Sequence, residues 1–142
     1  MSTEDFNPQD ALVAVMIAVA AADESIADSE LAWISQTVSQ LPVFEDYDPA
    51  RIRATSGLVA DYLEREDGLD ELIDQVEQTL PDHLRETAYA LACDVAASDG
   101  TVAMSELKLL EMLRYDLSVG RLAAAAIERG ARARHQRLAP RS

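Results

Sequence analysis

Four acids in this chain recur at one spacing. Asp23 lies seven residues before Glu30, and Asp99 lies seven residues before Glu106. Each aspartate falls in a short polar turn and each glutamate at the start of the stretch that follows. Oxygen donors in such a set suit a hard divalent cation, because clustered carboxylates repel one another unless a cation joins them. The second copy, Asp99-Gly100-Thr101-Val102-Ala103-Met104-Ser105-Glu106, reads as D-G-x-[IV]-x-x-x-E, the back half of an EF-hand calcium loop. The front half is missing. The positions that should supply its first two aspartates are Val95 and Ala97 here, and Val19 and Ala21 in the first copy, so a conventional EF-hand is set aside.

The acids belong to a larger duplication. Residues 14–31, AVMIAVAAADESIADSEL, lie over residues 90–107, ALACDVAASDGTVAMSEL, with nine identical pairs and an offset of 76. Each acid alone has an ordinary structural role, since aspartate with glycine is turn chemistry and a glutamate in a helix's first turn complements the dipole and can cap. Recurrence of the whole set narrows the margin between four separate caps and a shared ligand. Asp28 has only Met104 opposite it, which weakens its claim to a site.

The elements that must hold these acids are helical. Asn7-Pro8 pairs an N-cap with proline at the first helical position, predicting a helix over 8–22 that the turn Asp23–Ala27 ends. A second helix from near Asp28 to Gln40 carries Leu31, Ile34, Val38 and Leu41 on one face and closes at Pro42. Asp48-Pro49 repeats the cap signature and opens a third helix to about Glu66, with Ile52, Leu58, Val59 and Leu63 inward and Gly68 after its end. A shorter amphipathic helix covers 69–80. The second copy runs from about Asp82 to Ser98, turns at 99–101 and resumes from about Met104 to Asp116, with Leu107, Leu110, Met112 and Leu113 available for packing. A last helix from Ser118 to about Gln136 has Val119, Leu122, Ala126 and Ile127 inward.

The predicted fold class is therefore all-α: one domain over 1–142, a bundle of about seven helices built on a duplicated helix-turn-helix unit. The first repeat covers about 8–41, the second about 82–117, and a basic tail about 137–142, with residues after Leu138 read as disordered. The alanine-rich first helix of each repeat has almost no polar face and should form the central pair. Asp94 interrupts that pattern where the first copy has Ala18, and is expected to reach a polar rim or a site, since an unpaired buried carboxylate costs several kcal/mol.

Composition narrows the function. The net charge is −14, with 25 acids against six bases in residues 1–120 and six arginines against Glu128 alone in 121–142. Such a body repels phosphate backbones, which excludes nucleic acid as a partner and favours cations or a basic protein. The arginines at the end complement the last helix's negative pole or stay solvated, a simpler reading than contact with an anionic membrane. The apolar run at 11–22 is preceded by acids, unlike a signal peptide, and at twelve residues is too short to span a bilayer. The single Cys93 sits inside an apolar run, reads as a small buried hydrophobe and suits a reducing compartment. His83 and His135 lie far apart without ligand spacing, which leaves a zinc site unsupported, and His83 is expected at the surface in a first turn. Ser105-Glu106-Leu107-Lys108 fits S-x-x-K only by coincidence, because its partner motifs are absent. No phosphate loop, nucleophile elbow or dinucleotide fingerprint occurs.

The two segments AADESIADSE at 21–30 and ASDGTVAMSE at 97–106 resemble the Ala-[Ala/Ser]-Asp-Gly-x-[Ile/Val]-x-x-x-Glu segment of the tellurite-resistance TerB family and its wider TerB-like superfamily. The surrounding helices extend the likeness over most of 8–136. The resemblance implies an all-helical duplicated bundle in the cytoplasm. It also implies an acidic patch that binds metal ions and a role in the response to tellurite or other chemical stress. Carried over residue by residue, it assigns a divalent metal to Asp23, Glu30, Asp99 and Glu106. Glu24 stands at the usual glycine position, where it either reshapes the first turn or adds a ligand. The leading expectation is a non-enzymatic metal-binding sensor or adaptor. The alternative is an interaction scaffold whose acidic surface recruits a basic partner without metal.

Overall fold

A computed structural model of the chain describes residues 6–22, 28–98, 100 and 102–139. The described residues form seven α-helices and no strand: α1 (Pro8–Ala20), α2 (Asp28–Gln40), α3 (Arg51–Leu63), α4 (Gly68–Thr79), α5 (Arg85–Ala97), α6 (Met104–Asp116) and α7 (Arg121–Arg134). Short 3-10 turns at Pro42–Phe44 and Asp82–Leu84 precede α3 and α5. The turn Asp23–Ala27 and residues 140–142 of the basic tail lie outside the described residues.

The helix starts follow local chemistry. At α1 the Asn7 side chain accepts the Asp10 N–H at 2.9 Å, and the Asp10 carboxylate takes back the Asn7 N–H at 3.2 Å, a complete capping box with Pro8 behind it. Asp48 uses its carboxylate differently. Its Oδ1 accepts the Ala50 N–H at 3.0 Å, tying off a turn, so α3 begins at Arg51 and not at Pro49. The last helix also starts later than its pattern predicts, because Ser118 takes φ 56° and closes α6. The Val119 N–H reaches Arg114 O at 2.9 Å and the Ser118 N–H reaches Tyr115 O at 3.1 Å, the paired bonds of a left-handed C-terminal cap.

Helices of twelve to fourteen residues are marginal alone, so packing must hold them. Every residue of α1 from Asp10 to Ala20 is buried, and α5 is buried over Ala88, Tyr89 and Leu91 to Ala96. These two form the central pair, as the alanine-rich pattern predicts. Around them α3 and α4 cover α1, and α7 covers α5. The second helix of each hairpin also packs on the first helix of the other, α2 on α5 and α6 on α1. Fully buried Leu12, Met16, Leu72 and Leu113 each contribute about 1.5–3 kcal/mol by leaving water.

The helices α2 and α6 keep most of the predicted inward face but not its first leucine. On α2 the buried residues are Glu30, Ile34, Thr37 and Val38, while Leu31 is 48% exposed. On α6 they are Glu106, Leu109, Leu110 and Leu113, with Leu107 also 48% exposed. In both, the later members of the predicted stripe are buried, Ile34 and Val38 on α2 and Leu110 and Leu113 on α6, but at its start the glutamate is buried and the leucine after it is not. Leu41, Leu63, Leu122 and Ala126 are exposed too, because each lies at the outer edge of its helix or just past its end. Gly68 opens α4 instead of trailing α3.

Candidate functional site

Glu30 and Glu106 stand in the first turns of α2 and α6, each only 3% exposed. A glutamate is almost never this buried without a partner. Glu106 Oε1 accepts the Ala103 N–H at 3.0 Å. Ala103 has no side-chain acceptor to return the bond, so this is one arm of a capping box. The turn before it passes through Gly100 at φ 87°, a left-handed conformation that suits glycine. Asp28 is exposed.

The other two acids of the set, Asp23 and Asp99, lie outside the described residues, as does Glu24. Among the described residues no group of three or more His, Cys, Asp or Glu side chains could hold a metal ion. The carboxylates of Glu30 and Glu106 are hard oxygen donors, fitting Ca2+ or Mg2+ rather than a thiolate- or imidazole-seeking ion. Neither His83, exposed on the turn before α5, nor His135 belongs to this set.

A second constellation, not legible as a site in the sequence, lies between α5, α6 and α7. These helices enclose a cavity of about 370 Å³. At its wall the Tyr89 hydroxyl donates to Glu128 Oε2 at 2.8 Å, and Cys93 follows one helical turn after Tyr89. Burial pushes the Cys93 thiol up to about 12, and the negative charges of Glu128 and Asp94 add to the shift. Burial, with acceptance by Glu128, also holds the Tyr89 hydroxyl far above its ordinary range.

Two consequences for Cys93 can be measured. At pH 8 the native thiol should react with alkylating reagents roughly a thousandfold more slowly than free cysteine, recovering full reactivity on denaturation. Labelling at the free rate in the folded protein would contradict the buried placement. Because its folded value lies above the unfolded one, Cys93 contributes stability that is complete below about pH 9 and lost as pH rises through about 12. Tyr47, raised to about 12 by burial and then by the charge of Asp10, acts in the same direction above pH 10. Unfolding free energy should therefore fall with pH across this window, and less steeply in Cys93→Ala.

Asp94 reaches a polar rim, as its interruption of the alanine pattern suggests, and the rim is made by the basic end of the chain. Its Oδ1 accepts from Arg134 Nη2 at 2.8 Å and Nε at 3.2 Å, and lies 3.3 Å from His135 Nε2. His135 also packs edge-on against Trp33 of α2, ring centroids 4.6 Å apart. Part of the arginine-rich end is thus an internal tether that pins α7 to α5. No helix among the described residues is long and apolar enough to cross a membrane.

Comparison with curated proteins and with solved structures returns no match. Among protein-family models, that described as tellurite resistance protein TerB aligns with residues 9–129. That span runs from the first turn of α1 into α7 and takes in both acidic turns. The chain belongs to the TerB family.

Proposed function

We propose that this TerB-family protein is a non-enzymatic, cytoplasmic sensor or adaptor in tellurite resistance or a related chemical stress response, and that it holds a divalent cation at Asp23, Glu30, Asp99 and Glu106. The observation that carries the reading is the burial of Glu30 and Glu106 at equivalent places, each followed by a leucine that is exposed instead. Capping alone needs no such burial, since an exposed glutamate serves a first turn equally well. Each glutamate also follows a turn carrying an aspartate, which supplies the further oxygens a hard cation requires. A bound divalent ion would offset the repulsion among these carboxylates and tie each turn to the helix after it. Glu30 and Glu106 are the described residues that would hold it.

A second reading has its own observation. Glu106 Oε1 already caps Ala103, so the acids can serve the fold while the acidic surface recruits a basic partner protein. Isothermal titration with Ca2+, Mg2+, Mn2+ and Zn2+ distinguishes the two, using a Glu30→Gln, Glu106→Gln double variant. Glutamine keeps a carbonyl oxygen for the capping bond but removes the charge. Under the metal reading, heat of binding for at least one ion disappears in the variant while thermal stability without metal changes little. Absence of heat with every ion, or heat indifferent to the variant, would leave the scaffold reading.

A further inference from the structure

The cavity between α5, α6 and α7 is unlike the rest of this acidic molecule. Its volume of about 370 Å³ falls within the range of roughly 300–1,000 Å³ usual for small-molecule sites. Ala96, Leu110 and Ala131 give it an apolar, buried wall. Val102 and Leu107, 39% and 48% exposed, form its edge.

The polar groups around that wall carry both signs, Glu111 and Glu128 beside Arg114 and Arg132. Tyr89 donates to Glu128, so this acceptor is engaged. Arg114 and Arg132 also line the cavity, and neither forms an ion pair among the described residues. Suitable partners stand close in sequence: Glu111 three residues before Arg114 and Glu128 four residues before Arg132, the spacings at which helical ion pairs form. Neither pair closes to within salt-bridge distance. The Nε of Arg114 is moreover shielded from solvent with no hydrogen-bond partner among the described residues. That nitrogen is too enclosed to meet a ligand itself, but the terminal nitrogens of the same guanidinium reach solvent and make no hydrogen bond among the described residues, which leaves them open to an acceptor from outside.

We propose that this cavity binds a small amphipathic anion, an apolar body ending in a carboxylate or sulfonate. The apolar body lies along Ala96, Leu110 and Ala131, and the charged end accepts from Arg114, with Arg132 adding positive potential. Tyr89 occupies one oxygen of Glu128, so the groups around the wall that have no hydrogen-bond or ion-pair partner among the described residues are Arg114, Arg132 and Glu111, two of the three cationic. The inference uses none of the four turn acids, so a failed metal titration leaves it standing.

The full-length protein can be titrated with anilinonaphthalene sulfonate, an aromatic anion whose fluorescence rises on entering an apolar site, and with decanoate as a fatty-acid competitor. Decanol serves as the uncharged control. The expected result is one saturable site for at least one anion, with decanol at least about tenfold weaker than decanoate where decanoate binds. Arg114→Met should weaken the anion by about tenfold and leave decanol unchanged. Val102→Trp, at the half-exposed edge, should block entry of every probe while preserving the melting temperature. Should Arg114→Met fail to fold, Arg132→Gln on the exposed face of α7 replaces it, with a severalfold loss expected. Binding by the sulfonate alone assigns an aromatic acid, and by decanoate alone a fatty acid. No saturable binding of either anion overturns the proposal, as does decanol binding as tightly as decanoate, or binding indifferent to Val102→Trp.

Discussion

Gly68→Ala will destabilise the protein by about 4 kcal/mol or more, lowering the melting temperature by about 10 °C. A Cβ at this position would lie 1.4 Å from the carbonyl oxygen of Tyr62 and 2.5 Å from its carbonyl carbon. Both are backbone atoms, so no side-chain rotation relieves the overlap. The corner between α3 and α4 must open instead, and α4 carries Leu72, Ile73 and Val76 into the core against α1 and α3. Gly57→Ala is the matched control: nothing lies within 4 Å of its added Cβ, it sits mid-helix in α3, and it should stabilise by about 0.5–1 kcal/mol. Chemical denaturation of both variants gives the comparison. Equal stability of Gly68→Ala and the parent would mean that the two helices do not meet as described.

Arg51→Met should cost about 3 kcal/mol, for an electrostatic reason. Asp10 is 0% exposed, and its carboxylate takes two bonds from one guanidinium, Arg51 Nη2 at 2.6 Å and Nε at 3.1 Å. Removing the guanidinium leaves a charge in the core beside the hydroxyl of Tyr47, which raises the penalty above that of a surface pair. Arg51 itself is 33% exposed, which keeps the loss toward the lower end of the 3–5 kcal/mol typical of broken buried pairs. Adding Asp10→Asn removes the stranded charge but keeps an acceptor for the Asn7 N–H. The double variant should therefore be more stable than Arg51→Met alone. A loss below about 1 kcal/mol in Arg51→Met would show the pair to be solvated.

Much of the architecture was legible because it rests on local chemistry. Asn7-Pro8, Pro42 and Pro81 mark boundaries whatever the tertiary fold, and the alanine-rich runs of α1 and α5 have no side suited to water. What failed was the first residue of the inward stripe on α2 and α6, whose later members Ile34, Val38, Leu110 and Leu113 are buried as predicted. Leu31 and Leu107 look like core residues by hydropathy, yet Glu30 and Glu106 take the inward positions. In the first turn of a short helix, neighbours one residue apart flank the edge of the buried stripe, and hydropathy alone does not choose between them. The partner of Asp94 was hidden for another reason: it comes from Arg134 and His135, forty residues away, and depends on how α7 crosses α5. The cavity depends on the same crossing. The turn acids were readable only through their repetition, and of the four, Glu30 and Glu106 fall within the described residues.

The complete enclosure of α1 bears on how the molecule can be assembled. Its coverings come from both ends of the chain, α3 and α4 before Pro81 and α5 after it. A nascent chain that has emerged only as far as Pro81 therefore leaves the α5-facing side of α1 bare, and the remaining segment leaves the α1-facing side of α5 bare. Neither half is a foldable unit, so denaturation should be a single concerted event without a stable half-molecule.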